Sequence, residues 1–87
     1  MPTISRFHGI RIMMHAGERE HLPPHFHAQS GSRRAAYQIA DGRRLAGSLP
    51  VAAERLLREW SALNRMALEE NWRRAREDKP LKPVPPL

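Results

Sequence analysis

The first half of the chain alternates apolar and polar residues, whereas the second half repeats its apolar residues at helical spacing. Two short runs, Thr3 to Phe7 and Ile10 to His15, are rich in β-forming residues and are separated by His8-Gly9. Glycine supplies the backbone freedom that a tight hairpin connection needs. Side chains on a strand point alternately to opposite faces, so the even-numbered residues of the second run, all apolar, share one face. The pattern predicts a β-hairpin with that face in the core.

Further strands are predicted downstream, each bounded by a turn signal. The strand pattern resumes at His25, and a turn around Gly31 leads into Arg33 to Ala40. Asp41-Gly42 is among the strongest short hairpin signals, and Arg43 to Gly47 follows it as a short strand. We therefore expect a small antiparallel sheet of four to five strands.

A long helix is predicted after the sheet. From Val51 to Asp78 there is neither proline nor glycine, and most residues are strong helix formers. The apolar residues form two stripes, the second displaced from the first: Ala53, Leu56, Trp60, Leu63 and Ala67, then Leu68, Trp72 and Ala75. The displacement predicts either one curved helix, which we prefer, or a break near Asn64 that gives two helices. Ser48 is the expected N-cap, with Pro50 in the first turn.

The fold class predicted from these elements is α+β, with the sheet packed against the long C-terminal helix. The length of 87 residues is that of one domain. We assign residues 1–79 to a single domain and residues 80–87, which hold four of the eight prolines, to an extended arm. Leu81, Val84 and Leu87 can pack this arm across the domain or against a partner chain, and self-association stays open.

The composition excludes several classes of protein. Without cysteine there is no disulfide framework, no thiolate nucleophile and no cysteine-type zinc site. No run approaches the roughly 18 apolar residues that span a bilayer, and the N-terminus lacks a signal-peptide pattern. We therefore expect a soluble, cytoplasmic protein that does not act at a membrane.

The net charge of +6 indicates an anionic partner. Thirteen of the fifteen basic residues are arginine, the side chain best suited to forked contacts with phosphate or carboxylate. The excess lies mainly in residues 1–50, which hold seven basic and three acidic residues. The candidate anion-binding or nucleic-acid-binding residues are those on the predicted strands: Arg11, Arg33, Arg34, Arg43 and Arg44. RNA, DNA or an acidic protein would complement them.

The most distinctive segment runs from His21 to His27 and places three imidazoles around a double proline. The prolines stiffen the entry to the strand, and His25 and His27, two residues apart, share one of its faces. If Phe26 lies in the core, both rings face outward. A His-x-His pair on a strand can present two nitrogens to one divalent ion, with His21 as a third ligand. Zinc, nickel or manganese would then be the cofactor.

Two other interpretations of the histidines stay open. His25 and His27 can act as general acid and base on a phosphodiester, with Arg11, Arg33 or Arg34 stabilising the developing charge. They can also be structural residues that hydrogen-bond loop backbone. A third hypothesis is a non-enzymatic binding module, in which the basic sheet face binds a nucleic acid or a cognate protein. The strands have few aromatic residues, which disfavours a base-stacking platform and favours an acidic protein. Whether the protein is an enzyme stays open.

Several motifs together resemble a bacterial family known as domain of unknown function 4160. They are Met1-Pro2-Thr3-Ile4-Ser5-Arg6-Phe7 with Gly9-Ile10, Pro23-Pro24-His25-Phe26-His27, Gly47-Ser48-Leu49-Pro50, Glu59-Trp60, Glu70-Asn71-Trp72 and Lys79-Pro80-Leu81. The resemblance covers essentially the whole chain. It implies a small α+β protein encoded beside another short protein, and therefore one component of a toxin-antitoxin-like module. We expect the partner to be a separately encoded, small, acidic protein.

Overall fold

Five strands and two helices make up the computed structural model, which describes residues 1–15 and 23–87. The strands form one antiparallel sheet in sequential order. They are β1 (Thr3–Phe7), β2 (Ile10–Met13), β3 (His25–Ser30), β4 (Arg33–Gln38) and β5 (Arg44–Gly47), followed by α1 (Val51–Leu63) and α2 (Arg65–Arg76). The predicted α+β class and the antiparallel sheet are confirmed. The helical region is divided in two at Asn64, which confirms the predicted alternative of a break near that residue in place of the single helix that we preferred.

The β1–β2 hairpin closes at the predicted turn. His8 and Gly9 have φ values of 49° and 76°, and a tight hairpin of the primed type requires positive φ at both central residues. Phe7 therefore pairs with Ile10, and Arg6 pairs with Arg11. This register decides which side chains of the two strands lie opposite each other.

One face of the sheet packs against the helices and forms the core. Phe26 is fully buried there, with ring centroids 5.8 Å from Tyr37 and 5.9 Å from Trp60. The even-numbered residues 10, 12 and 14 belong to the same buried cluster, which confirms the predicted core face of the second run. The alternate side chains of each strand therefore point to the opposite face of the sheet.

The helical region breaks at Asn64, whose φ is −120°. Its side-chain amide donates to the carbonyl oxygen of Trp60 at 2.9 Å, a local bond of the kind by which asparagine competes with regular helix. The change of direction also changes the buried stripe. Leu57 and Leu68 are fully buried, whereas Leu63, a member of the first apolar stripe, is 72% exposed.

The entry to α1 differs from the expected cap. Pro50 occupies the N-cap position, and no side chain caps the helix. The backbone N–H of Ser48 donates to the carbonyl oxygen of Arg34 at 3.1 Å, which ties this residue to β4. The predicted Ser48 cap is wrong, because Ser48 continues the pairing of the sheet instead of starting the helix.

The C-terminal arm, residues 80–87, packs on its own domain. Val84 is buried, and its N–H donates to the carbonyl oxygen of Ile4 at 2.8 Å along the outer edge of β1. The buried amide of Asn71 donates to the carbonyl oxygen of Lys82 and accepts from its N–H, both at 2.8 Å. The Trp60 indole donates to the carbonyl oxygen of Pro85 at 2.8 Å. Side chains of both helices therefore bind the arm through its backbone.

A glycine is needed at position 47 because β5 approaches β4 closely there. The φ of Gly47 is +69°, and a Cβ at this position would collide with the carbonyl oxygen of Arg34. Gly31, in the β3–β4 turn, has a similar φ of +61° but open space around a Cβ. Substituting each glycine in turn therefore distinguishes the free-energy cost of the backbone conformation, which both share, from the cost of the collision, which only Gly47 has.

We expect Gly47→Ala to destabilise the fold more than Gly31→Ala. The left-handed conformation costs an alanine roughly 1–2 kcal/mol at either site. Only residue 47 adds the collision, which forces a backbone shift costing about 1–3 kcal/mol more. Urea unfolding of the two variants measures the difference directly. Equal loss of stability in both would show that the approach of β5 to β4 is not tight.

We expect Asn71→Ala to lower the free energy of unfolding by about 2–4 kcal/mol, because it removes a buried side chain with two hydrogen bonds and leaves the partly buried peptide groups of Lys82 without these partners. Glu69→Ala, an exposed change on the same helix, is the control and should change stability by less than about 0.5 kcal/mol. Chemical denaturation measures both. A loss for Asn71→Ala as small as the control's would mean that the arm contributes nothing to stability.

Candidate functional site

His25 and His27 project from the same strand, with ring centroids 5.1 Å apart. The His25 ring lies against Trp72 of α2 at 5.2 Å, and its Nδ1 is 2.9 Å from the carbonyl oxygen of Pro23, to which it donates. His25 is only 1% exposed, and His27 is half-buried. The expectation that both rings face outward is wrong for His25, because α2 reaches the beginning of β3 and Trp72 covers the ring.

The predicted metal set is described only in part. His21 lies outside the described residues, whereas His25 and His27 lie within them. Within residues 1–15 and 23–87, no group of three histidine, aspartate or glutamate side chains is arranged to hold a metal ion. A site for zinc, nickel or manganese stays a prediction.

The five predicted anion-binding arginines are divided between the two faces of the sheet. Arg11 and Arg34 lie on the face opposite the helices, both opposite Gln29 of β3. Arg44 pairs with Tyr37 on the helix-covered face, and its guanidinium is 3.7 Å from the Glu54 carboxylate.

The other two predicted arginines also lie away from Arg11 and Arg34. Arg33 pairs with Ser30, and Ser30 pairs with the core residue Ile10. Arg33 therefore lies on the helix-covered face of the sheet. Arg43 precedes β5 in the turn, where its N–H donates to the Asp41 carboxylate at 2.9 Å. Only two of the five predicted residues therefore share the face that His27 occupies.

Arg6 joins Arg11 and Arg34 and is absent from the predicted set. It lies directly opposite Arg11 in the β1–β2 register and is exposed. The signal that identifies it is the turn itself: once His8-Gly9 is the hairpin turn, Phe7 must face Ile10 and Arg6 must face Arg11. We define the arginine row as Arg6, Arg11, Gln29 and Arg34, which are successive cross-strand neighbours.

A second row runs beside the arginine row. We define the apolar row as Met13, His27, Ala36 and Ala46, again successive cross-strand neighbours. On β2, β3 and β4 its members stand two residues along the strand from those of the arginine row, a separation of about 6.6 Å. The two rows together form the open sheet face, opposite the helices.

A trench of about 210 Å³ follows the apolar row. Met13 and Ala36, 5% and 6% exposed, form its floor, and Ala46 and the 55% exposed Met1 are more accessible. Arg34 of the arginine row also lines it. The three aromatic residues on the strands, Phe7, Phe26 and Tyr37, are buried in the core instead. The open sheet face thus offers an apolar recess beside guanidinium groups.

The acidic side chains that the structure describes lie outside the strands. None of the five strands contains aspartate or glutamate, whereas they contain five arginines. The described carboxylates are on the helices, in the turn at Asp41 and after α2, and several have a cation nearby. Glu70 lies 3.0 Å from Lys82, and Glu77 lies 2.9 Å from Lys79. Arg6 and Arg11 lie directly opposite each other, and like charges in this arrangement destabilise a sheet.

Comparison with protein families gives one match. The model of a family described as domain of unknown function (DUF4160) matches residues 9–73. The chain belongs to the DUF4160 family. No curated protein and no solved structure gives a significant match.

Several motifs that carried the resemblance to the DUF4160 family have structural roles in this member. Gly47 permits the approach of β5 to β4, and Asn71 binds the arm. Trp60 binds both the core and the arm, and Trp72 covers His25. In the part of this DUF4160 protein that the structure describes, no helix is long and apolar enough to cross a membrane.

A polar contact between β4 and α1 also joins the sheet to the helix. The Tyr37 hydroxyl donates to the Glu54 carboxylate at 2.7 Å. Burial, this hydrogen bond and the negative charge of Glu54 all raise the pKa of Tyr37 well above its ordinary value. The bond holds the phenol in its protonated form and fixes α1 on β4.

We expect the stability conferred by Tyr37 to be lost only in strong alkali. A raised pKa in the folded state means a contribution that is complete below about pH 10 and declines as the pH rises toward the folded value. Tyr37→Phe should lower the free energy of unfolding by about 1.5–3 kcal/mol at neutral pH, and the difference should shrink above pH 10. Denaturation across this pH range measures it. Tyr37 is the only tyrosine, so tyrosinate absorbance appearing near pH 10 in folded protein would contradict the assignment.

Proposed function

We propose that this DUF4160 protein is a basic, non-catalytic binding protein that acts in the cytoplasm as one component of a toxin-antitoxin-like pair. Its open sheet face binds a separately encoded acidic protein. The observation that carries the proposal is the charge distribution: the strands hold arginines and no carboxylate. A positively charged face attracts negatively charged partners and repels positively charged ones. This gives both fast association and selectivity.

The arginine row supports an anionic partner through its geometry. Arg6 and Arg11 are direct cross-strand neighbours, and Arg34 lies beyond Gln29 on the same face. The Arg11 Nε donates to the Thr3 hydroxyl at 2.6 Å, which fixes the guanidinium over the sheet. A guanidinium held in this way loses less conformational entropy on binding a carboxylate than a freely moving one.

The neighbouring trench favours a protein over a nucleic acid. Single-stranded RNA and DNA are bound by stacking bases on aromatic rings, and the strand aromatics lie on the other face. Methionine and alanine side chains instead suit the aliphatic side chains of a protein. A second copy of this chain is disfavoured, because it would bring the same positive charge to the interface.

The histidine-based alternatives receive less support from the geometry. General acid-base catalysis or metal binding by His25 and His27 needs both rings within reach of a substrate or ion. The His25 ring is covered by Trp72, and its Nδ1 binds the carbonyl oxygen of Pro23. Metal binding and ribonuclease activity therefore stay predictions.

We expect reversing the charge of the arginine row to weaken binding of the acidic protein encoded beside this one. Arg6→Glu with Arg34→Glu should raise Kd at least about tenfold, a loss of about 1.4 kcal/mol. Added salt should raise Kd of the parent protein, because solvent-exposed charges are screened. Isothermal titration calorimetry of the purified pair measures both effects.

The matched control is Arg55→Glu with Arg65→Glu, which makes the same change in net charge on exposed helical positions. An equal loss in the control would show a response to net charge alone and would contradict binding at the open sheet face. Competition by single-stranded RNA as strong as that by the acidic protein would indicate a nucleic-acid partner instead.

A further inference from the structure

The trench on the open sheet face has a specific occupant, and this assignment rests on the proposed function. We propose that it receives an apolar side chain of the acidic partner, and that carboxylates next to this anchor bind the arginine row. The ligand class is therefore an amphipathic acidic segment, not a uniformly charged polyanion. The arginine row attracts the segment electrostatically, and the trench fixes the position in which the segment binds.

The size of the trench depends on small side chains. Ala36 and Ala46 are cross-strand neighbours on adjacent strands. Alanine is disfavoured on strands, where β-branched and aromatic residues pack better. Two alanines side by side open a recess at the edge of the sheet, with Met1 and Met13 among its lining residues. Its volume of about 210 Å³ is large enough for an aliphatic side chain.

Methionine suits such a recess. Its side chain is flexible and polarizable, so it can adjust to the shape of an apolar group. Met1 is 55% exposed and can move over an occupant, whereas Met13 is 5% exposed and fixed in the floor. One mobile and one fixed thioether therefore surround the anchor.

The charged side chain beside the trench sets the spacing of the ligand. Arg34 precedes Ala36 by two positions on β4, so the guanidinium stem and the alanine methyl start about 6.6 Å apart. An anchor and a carboxylate at i and i+4 of a helix, or at i and i+2 of a strand, have a comparable separation of roughly 5–7 Å. A partner segment with that pattern contacts the trench and the arginine row together.

The first experiment uses the full chain with ¹³C-labelled methionine methyl groups. The protein has four methionines in distinct places: Met1 and Met13 at the trench, Met14 in the core and Met66, 83% exposed, on α2. The probes are a synthetic amphipathic peptide of leucine and glutamate, a scrambled peptide of the same composition, and polyglutamate. We expect saturable shifts at Met1 and Met13 with the amphipathic peptide only, and unchanged signals from Met14 and Met66.

Equal affinity for the scrambled peptide or for polyglutamate would overturn the proposal, since charge alone would then explain binding. A shift of Met66 as large as that of Met13 would also overturn it, because apolar attraction would then not be confined to the trench. A shift of Met14 would indicate a disturbed core and would count against binding at the surface.

The second experiment fills the trench. Ala46→Leu places a larger side chain at this exposed edge-strand position and should weaken binding of the amphipathic peptide at least about tenfold, the contribution of one buried aliphatic side chain. Ala62→Leu is the matched control at an exposed position of α1 and should leave binding unchanged. Thermal unfolding confirms that both variants are folded.

The two proposals fail in different ways. If Ala46→Leu binds the acidic neighbour protein as tightly as the parent does while the Arg6 and Arg34 reversals still weaken it, the trench assignment is wrong and the proposed function stands. If neither the filling nor the reversals weaken binding of that protein, both are wrong.

Discussion

Trp60 joins four parts of the fold, and the rest of the structure depends on it. Its ring lies 5.2 Å from Phe7 of β1 and 5.9 Å from Phe26 of β3. Its indole N–H binds the carbonyl oxygen of Pro85 in the arm. A buried tryptophan removes a large apolar area from water and still needs a partner for its N–H. One side chain of α1 therefore holds the helix on the sheet and the arm on the helix.

This packing determines which face of the sheet stays open. In a chain of 87 residues there is enough helix to cover one sheet face, and the aromatic residues of the strands all point to that face. The alternation of strand side chains then sends Arg6, Arg11 and Arg34 to the other side, where no described carboxylate neutralises them. The basic surface is the consequence of placing the core on one side only.

Much of the fold could be predicted from the sequence, because its signals are local. His8-Gly9 and the alternation around Ile12 are enough for the first hairpin, and β1 has the predicted bounds. The displaced stripes left open whether the helix breaks at Asn64, and the burial of His25 could not be predicted, since it depends on a contact with a distant element. A helix rotated by a few tens of degrees exchanges Leu63 for Leu57 in the core, and α2 brings Trp72 onto a ring that the strand pattern turns outward.

The candidate site could be predicted only where the pairing register of the strands could be predicted. The arginines of the strands were visible in the sequence. The set that shares a face depends on how the strands pair, and this pairing adds Arg6 and separates Arg33 and Arg44 from the others.

The hydrogen bond from Val84 to Ile4 affects the edge of the sheet. It places the arm against the outer edge of β1 at Ile4 and so obstructs that end of the sheet. An obstructed edge strand is a poorer template for pairing with a second sheet, and β5 at the other end is left as the more accessible edge.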